Sequence, residues 1–189
     1  MQDKLTLEEQ QTLLRLARDA ITRRVNGEKM PPLDVSTMPA RLREEGASFI
    51  TLTVRGELRG CIGALEPYQP LAEDVCEHAV AAALEDPRFP PVRKDELSRI
   101  KIEVSRLTRP SPLEYKNAEE LLSRLRPHVD GVVLRDGIRR ATFLPQVWQT
   151  IQNPEDFLNN LCRKMGVSET LWRSKHLDVF TYQVDEFHE

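Results

Sequence analysis

The stretch SFITLTVRGELRGCIG, residues 48–63, predicts a β-hairpin that carries a cysteine near its end. Residues 48–54 are rich in β-branched and aromatic side chains, as strands are. Arg55-Gly56-Glu57 can then turn the chain back into residues 58–62. The hairpin would deliver Cys61 to the end of its second strand.

Cys61 is flanked by Gly60 and Gly63 and follows Arg59 at two residues' distance. Glycine adopts backbone conformations closed to other residues and lets another molecule approach closely, and a nearby arginine favours the reactive thiolate over the thiol. The glycines can equally mark a β-bulge or a tight turn. A free cysteine is also often a small buried packing residue, so a reactive and a structural interpretation both stand.

The composition narrows the class of protein. A chain of 189 residues, 40% hydrophobic and 30% charged, is large enough to bury one core. The net charge of -3 argues against nucleic-acid binding through the whole surface. No apolar run has membrane-spanning length, and Met1-Gln2-Asp3-Lys4 leads directly into an amphipathic helix rather than a signal peptide. We expect a cytoplasmic protein.

The cysteines and histidines do not form a metal motif. Cys61, Cys76 and Cys162 are widely spaced and odd in number, which argues against a disulfide framework and for a reducing compartment. Cys76 and His78 are the closest pair of candidate ligands, and two residues on one helix fall short of a zinc site. We expect neither a metal nor a cofactor.

Helices and strands alternate along the rest of the chain. The predicted elements are a helix from the capping box at Thr6 to Gly27, a helix over 70–84, a strand over 100–105, a helix after Asn117, a hairpin over 131–144 turning at Asp136-Gly137, a helix from Asn153 to Gly166 and a strand over 178–184. The fold class is therefore α+β, with a mixed, largely antiparallel sheet flanked by helices.

Two further segments carry candidate site residues. The loop DPRFPP, residues 86–91, has three prolines, so it displays Arg88 on a fixed backbone. In the strand IEVS, residues 102–105, alternation places Glu103 and Ser105 on one face. A connector loop and a solvated outer face explain these patterns equally well.

Four motifs together resemble the AMMECR-one domain family, whose bacterial and archaeal members are called AmmeMemoRadiSam system protein A. They are LRGCIG at 58–63, DPRFPP at 86–91, IEVS at 102–105 and ATFLPQVW at 141–148, and the resemblance runs from about residue 8 to 187. It implies a single α+β domain over residues 1–189, in two unequal lobes. The larger lobe would be built from both chain ends, with the cysteine motif near the cleft between the lobes.

The resemblance also suggests partners. Members of this family are associated with a Memo-like protein, related to extradiol dioxygenases, and with a radical SAM enzyme. Such an association implies a shared pathway rather than a particular reaction.

The residues themselves suggest a thiol-dependent enzyme that acts on a small anionic substrate. Cys61 would be the nucleophile or the substrate anchor, and Glu103 the general acid or base. The candidate substrate-binding residues are Arg59, Gly60, Gly63, Arg88 and Ser105. No histidine falls inside the four motifs, so the thiolate would depend on arginine.

The alternative is a non-catalytic ligand-binding or adaptor protein. Trp148, Phe89 and Tyr68 would then be interface anchors, although Trp148 just after an apolar strand also suits a core position. Glu103 would form a buried ion pair with Arg59 or with Arg88. The reactivity of Cys61 distinguishes the two hypotheses, because the enzyme requires a reactive thiol and the binding protein does not.

Overall fold

The protein is described by a computed structural model that covers residues 4–189, so the prediction for the first three residues lies outside it. The helices are α1 (Leu7–Val25), α2 (Ala40–Arg43), α3 (Leu71–Leu84), α4 (Ala118–Arg124), α5 (Pro154–Lys164) and α6 (Leu171–Ser174). The strands are β1 (Glu45–Val54), β2 (Glu57–Gly63), β3 (Gln69–Pro70), β4 (Ile100–Leu107), β5 (Ser111–Pro112), β6 (Gly131–Asp136), β7 (Arg139–Phe143), β8 (Asp178–Tyr182) and β9 (Val184–His188). This content confirms the α+β class. None of these helices has the length and apolar character needed to cross a membrane.

The strands divide between two sheets rather than forming one. The first sheet has the order β2-β1-β4-β9, with β3 paired to β1, and the second has the order β5-β8-β6-β7. The chain accordingly splits into two compact units, one ending at Thr108 and completed by Asp185–Glu189, the other formed by Arg109–Val184. The sequence predicted one last strand over residues 178–184. The structure has two strands in this region, β8 and β9.

The first helix follows its sequence signals closely. Thr6 Oγ1 accepts the N–H of Glu9 at 3.3 Å, and Glu9 Oε2 accepts the N–H of Thr6 at 2.7 Å, which confirms the capping box. Gly27 ends the segment with a φ of +82°, a conformation that favours glycine.

The first sheet buries one face against α1 and α3. Alternate residues of its three longest strands point to this face, because side chains alternate along a strand. Ile50, Leu52, Ile62, Ile102 and Val104 belong to the same hydrophobic cluster as the buried residues of the two helices. The opposite face carries the other residues of each strand.

Both predicted hairpins form, but one turn is shifted by a residue. The first turn consists of Arg55 and Gly56, both at positive φ. In the second hairpin Asp136 pairs with Arg139, so the turn is Gly137-Ile138 and not Asp136-Gly137. Only Gly137 needs a positive φ there, which leaves Asp136 in the strand ladder.

The second unit has its own core around Trp148. Its indole stacks on Phe157 with ring centroids 3.7 Å apart, and its Nε1 donates to the carbonyl oxygen of Asp130 at 2.7 Å. Trp148 is fully buried, so its assignment as an interface anchor is wrong. Cys162 is fully buried in the same cluster.

Candidate active site on the first sheet

Cys61 and Glu103 lie in one row across the first sheet. Cys61 on β2 is opposite Thr51 on β1, and Thr51 is opposite Glu103 on β4. Residues directly opposite each other share a face, so all three side chains lie on the face away from the aliphatic core. Thr51 Oγ1 donates a hydrogen bond to Cys61 Sγ at 3.4 Å. At ordinary strand spacing, the Cα atoms of Cys61 and Glu103 are about 10 Å apart.

The adjacent row on the same face contains Gly63, Phe49 and Ser105, in the same strand order. Ser105 is therefore close to the catalytic candidates, but it is largely buried, with 7% of its surface exposed. A Cβ at Gly63 would lie 2.3 Å from the carbonyl oxygen of Ser48. The close approach of β1 thus accounts for the glycine at position 63.

Gly60 faces the helices rather than the candidate site. It lies opposite Leu52, and a Cβ at this position would be 2.1 Å from the backbone oxygen of Ala82 on α3. The strand register shifts directly after this pair, which makes Arg59 the extra residue of a β-bulge. Packing and the bulge therefore explain Gly60, as the structural alternative proposed.

Asp86 and Arg88 hold the backbone of Cys61. The N–H of Cys61 donates to Asp86 Oδ2 at 2.8 Å, and Arg88 Nη2 donates to the carbonyl oxygen of Cys61 at 3.1 Å. Strand β2 is an edge strand, which leaves one N–H and one C=O of every second residue unpaired. The two loop side chains satisfy these groups at Cys61. We call this pair the edge clamp.

The two members of the edge clamp also bind each other. Arg88 Nε donates to Asp86 Oδ1 at 2.9 Å and Nη2 donates to Oδ2 at 2.7 Å. This bidentate contact holds the pKa of Asp86 well below its usual range, although burial acts in the opposite direction. The Asp86 side chain is 2% exposed and that of Arg88 is 55% exposed. Arg88 is therefore positioned by a buried carboxylate while its outer edge faces solvent.

Arg59 is engaged elsewhere. Its Nε and Nη2 donate to the two carboxylate oxygens of Glu96 at 2.8 and 3.1 Å. These hydrogen bonds lower the pKa of Glu96 to about 2, against the effect of burial. The arginine whose guanidinium contacts Cys61 is thus Arg88 rather than the arginine adjacent in sequence.

Glu103 is half-buried, and its carboxylate makes no hydrogen bond or ion pair with any residue from 4 to 189. The alternative in which Glu103 pairs with Arg59 or Arg88 is therefore wrong, because these arginines bind Glu96 and Asp86 instead. The Cys61 face therefore carries an unpaired carboxylate.

Sequence reasoning missed Thr51 and Asp86. Thr51 could have been found from the alternation of residues 48–54, which places it on the polar face of its strand. Asp86 precedes a proline, and its Oδ1 accepts the N–H of Arg88 at 3.0 Å in an Asx turn, a common role for aspartate in loops. Neither pattern says which residue on another strand is contacted.

The other predicted anchors remain available at the surface. Tyr68 is 52% exposed, and its hydroxyl donates to Glu77 Oε1 at 2.9 Å. Phe89 is half-buried beside Arg88, whose guanidinium carbon lies 5.5 Å from the ring centroid.

The remaining cysteines differ from Cys61 in environment. Cys76 lines a groove of about 520 Å³ along α3, and burial raises its pKa to about 11. Burial also raises the pKa of Cys162. Both are therefore weak sources of thiolate. Across residues 4–189, no three side chains of the ligating types are grouped so that they could hold a metal ion.

Known proteins resemble this chain in sequence and in structure. A protein from Thermofilum pendens is 39% identical, with 97% of this chain and 91% of the relative covered. A protein from Methanothermobacter thermautotrophicus is also 39% identical, with 98% and 96% covered. The crystal structure of the uncharacterized protein PH0010 from Pyrococcus horikoshii superposes with a TM-score of 0.74 at 33% identity, covering 100% of this chain and 93% of that one.

The family model AMMECR1 matches residues 14–187, a range that includes β2 with Cys61, the edge clamp and Glu103. The match extends over most of both compact units. This chain therefore belongs to the AMMECR1 family.

Proposed function

We propose that this chain is a thiol-dependent enzyme that acts on a small anionic substrate, with Cys61 as nucleophile and Glu103 as general acid or base. The observation that carries the proposal is the row Cys61, Thr51, Glu103 on the face of the sheet that is not needed for the core. Cys61 is half-buried and its sulfur accepts a hydrogen bond, so it can serve as the nucleophile. The unpaired carboxylate of Glu103 can serve in proton transfer.

In the proposed step, the Cys61 thiol gives its proton, through solvent, to the Glu103 carboxylate, and the thiolate sulfur forms a bond to a carbonyl carbon of the substrate. The electron pair of the C=O bond moves to the carbonyl oxygen, which takes that proton from Glu103. The adduct therefore contains one new S–C bond and one new O–H bond, and no oxidant or reductant is consumed.

Substrate recognition is assigned to residues beside this row. The hydrogen bonds of Arg88 to Asp86 and Cys61 use Nε and Nη2, so a carboxylate or phosphate can bind Nη1 without breaking the edge clamp. Ser105 and Gly63 lie in the adjacent row on the same face, whereas Gly60 faces the helices and has a packing role. Arg59 binds Glu96 and so supports the strand; it is not assigned to the substrate.

The wider setting of the proposal rests on family membership. We place the protein in the cytoplasm, in a pathway with a Memo-like protein and a radical SAM enzyme. An anionic product of one of those proteins would be a substrate for this one.

The competing function is a non-catalytic ligand-binding or adaptor component of the same system. One observation favours it: Arg59, Gly60 and Arg88 each have a partner that explains their presence without a substrate. Exposed Tyr68 and half-buried Phe89 would then contact the partner.

The test is the pH dependence of iodoacetamide alkylation, measured for each cysteine by peptide mass spectrometry. The enzyme hypothesis predicts that the midpoint for Cys61 lies well below the free cysteine value of about 8.5, and below those of Cys76 and Cys162, whose pKa values burial raises. A Cys61 that reacts no earlier than these two contradicts the nucleophile assignment and supports the adaptor hypothesis.

Glyoxylate, a small anionic aldehyde, tests Glu103. It should form an adduct with Cys61 and slow alkylation of this residue severalfold, without protecting the other cysteines. Glu103→Gln should slow the appearance of this protection after glyoxylate is added, because the carbonyl oxygen loses its proton donor. The exposed Glu57 on the same hairpin provides the control variant Glu57→Gln, in which protection should appear as fast as in the wild type. Protection that appears at the same rate in both variants would remove Glu103 from the mechanism.

A further inference from the structure

Thr51 occupies the central position of the candidate row. It lies on β1, directly opposite Cys61 on one neighbouring strand and Glu103 on the other. We infer that Thr51 is the positioning residue of the nucleophile, holding the Cys61 sulfur through its hydroxyl and stabilising the thiolate. This inference rests on the proposed function of Cys61.

The hydroxyl of Thr51 is held in place by its own strand. β1 is paired on both sides, with β2 and with β4, so its backbone has little freedom. Threonine is branched at Cβ and therefore stiff about its first side-chain torsion. The hydroxyl is aimed at one place, and the atom found there is Cys61 Sγ, at 3.4 Å.

The backbone of Cys61 is held from the opposite side as well. The edge clamp binds the N–H of Cys61 through Asp86 at 2.8 Å and its C=O through Arg88 at 3.1 Å. The backbone of an edge strand is thereby held where it would otherwise be free to move. The contact between Thr51 and Cys61 is therefore a property of the scaffold rather than of a mobile side chain.

The chemistry follows from the direction of the bond. The Thr51 hydroxyl donates and the sulfur accepts. A hydrogen bond donated to an ionisable group favours its charged form, so this contact favours the thiolate. Thr51 donates to Sγ itself, and the Arg88 guanidinium also acts on the Cys61 side chain, whereas Asp86 binds the main chain.

Three variants test the inference by iodoacetamide alkylation of Cys61 against pH. Thr51→Val keeps the shape and removes the donor, and it should raise the midpoint pH of alkylation by about one unit, a tenfold loss of thiolate below the midpoint. Thr51→Ser keeps the hydroxyl and should restore the wild-type midpoint. Thr53→Val removes a hydroxyl from the same face of the same strand, two residues away, and should leave the midpoint unchanged.

The outcomes separate this inference from the proposed function. If wild-type Cys61 reacts early and Thr51→Val or its smaller substitute Thr51→Ala reacts equally early, the role of Thr51 is overturned while Cys61 remains a nucleophile. A shift in Thr51→Ser as large as in Thr51→Val also overturns it, because the hydroxyl would then not matter. If wild-type Cys61 reacts no earlier than Cys76, the proposed function itself fails. Thermal unfolding confirms that each variant is folded.

Discussion

On the face of the first sheet that meets the helices, Ile50, Leu52 and Ile102 are completely buried, and Gly60 leaves room for the backbone of α3. On the opposite face, Cys61 and Glu103 are only half-buried and neither belongs to a hydrophobic cluster. Packing requires apolar side chains and a close approach between strand and helix. These two requirements explain the residues on the helix-facing side completely. They do not explain why a cysteine and an unpaired carboxylate share the second face, which is why we assign function there.

The largest expected effect comes from Gly60→Ala. The new Cβ would lie 2.1 Å from the backbone oxygen of Ala82, an atom that cannot rotate out of the way. We expect a loss of more than about 3 kcal/mol in the free energy of unfolding, measured by urea denaturation.

The matched control for this variant is Cys61→Ala, one residue further along and on the other face. Its expected cost is about 1 kcal/mol or less, because Cys61 is half-buried and outside the core. Similar losses at the two positions would contradict the distinction between the faces.

A smaller effect is expected for Asp86→Asn, which weakens the edge clamp at Cys61. The variant should unfold at a lower temperature than the wild type at pH 7, because Arg88 loses its ionised partner. The pKa of Asp86 is depressed in the folded protein, so its stabilisation is present above the ordinary aspartate pKa of about 4 and is lost as the pH falls below it.

The two melting temperatures should therefore converge in acid. Asp95→Asn serves as the control, since Asp95 is an exposed aspartate whose contacts are with the exposed Arg93 and Arg99. It should change the melting temperature by no more than about 1 °C. An equal effect in both variants would mean that the edge clamp contributes nothing beyond surface charge.

The smallest effect concerns a buried polar cluster formed by Ser48, Asp74 and His78. Ser48 Oγ donates to Asp74 Oδ2 at 2.6 Å, and His78 Nδ1 lies 3.2 Å from Asp74 Oδ1. Burial lowers the pKa of His78, but Asp74 and Glu77 together outweigh it, so the pKa is raised. A raised pKa stabilises the fold below the ordinary histidine pKa of about 6.5, and this contribution is lost as the pH rises through the folded value.

We therefore expect the wild type to lose on the order of 1 kcal/mol more than His78→Asn between pH 6 and pH 9, measured by urea denaturation. His188→Asn replaces an exposed histidine and should follow the wild type. A His78→Asn protein with the wild-type pH dependence would show that Asp74 does not bind the imidazolium.

Periodicity predicted most of the elements because each depends on neighbours in the chain. The helices after Thr6, Asn117 and Asn153 begin at side-chain caps, and the alternation of residues 48–54 marks a strand with one apolar face. The shifted turn at Gly137-Ile138 shows the limit of such signals. The Asp-Gly dipeptide predicts a turn, but it does not determine which pair of residues closes that turn.

The sequence by itself therefore determined the α+β class, the hairpin that carries Cys61 and the family to which the chain belongs. Only the tertiary structure decided which groups meet: Thr51 stands between Cys61 and Glu103, Arg59 binds Glu96, and Arg88 joins Asp86 at the edge of β2. Local patterns reflect the backbone period of 2 or 3.6 residues. Contacts between positions far apart in the chain depend on strand register and sheet order, which that period does not contain.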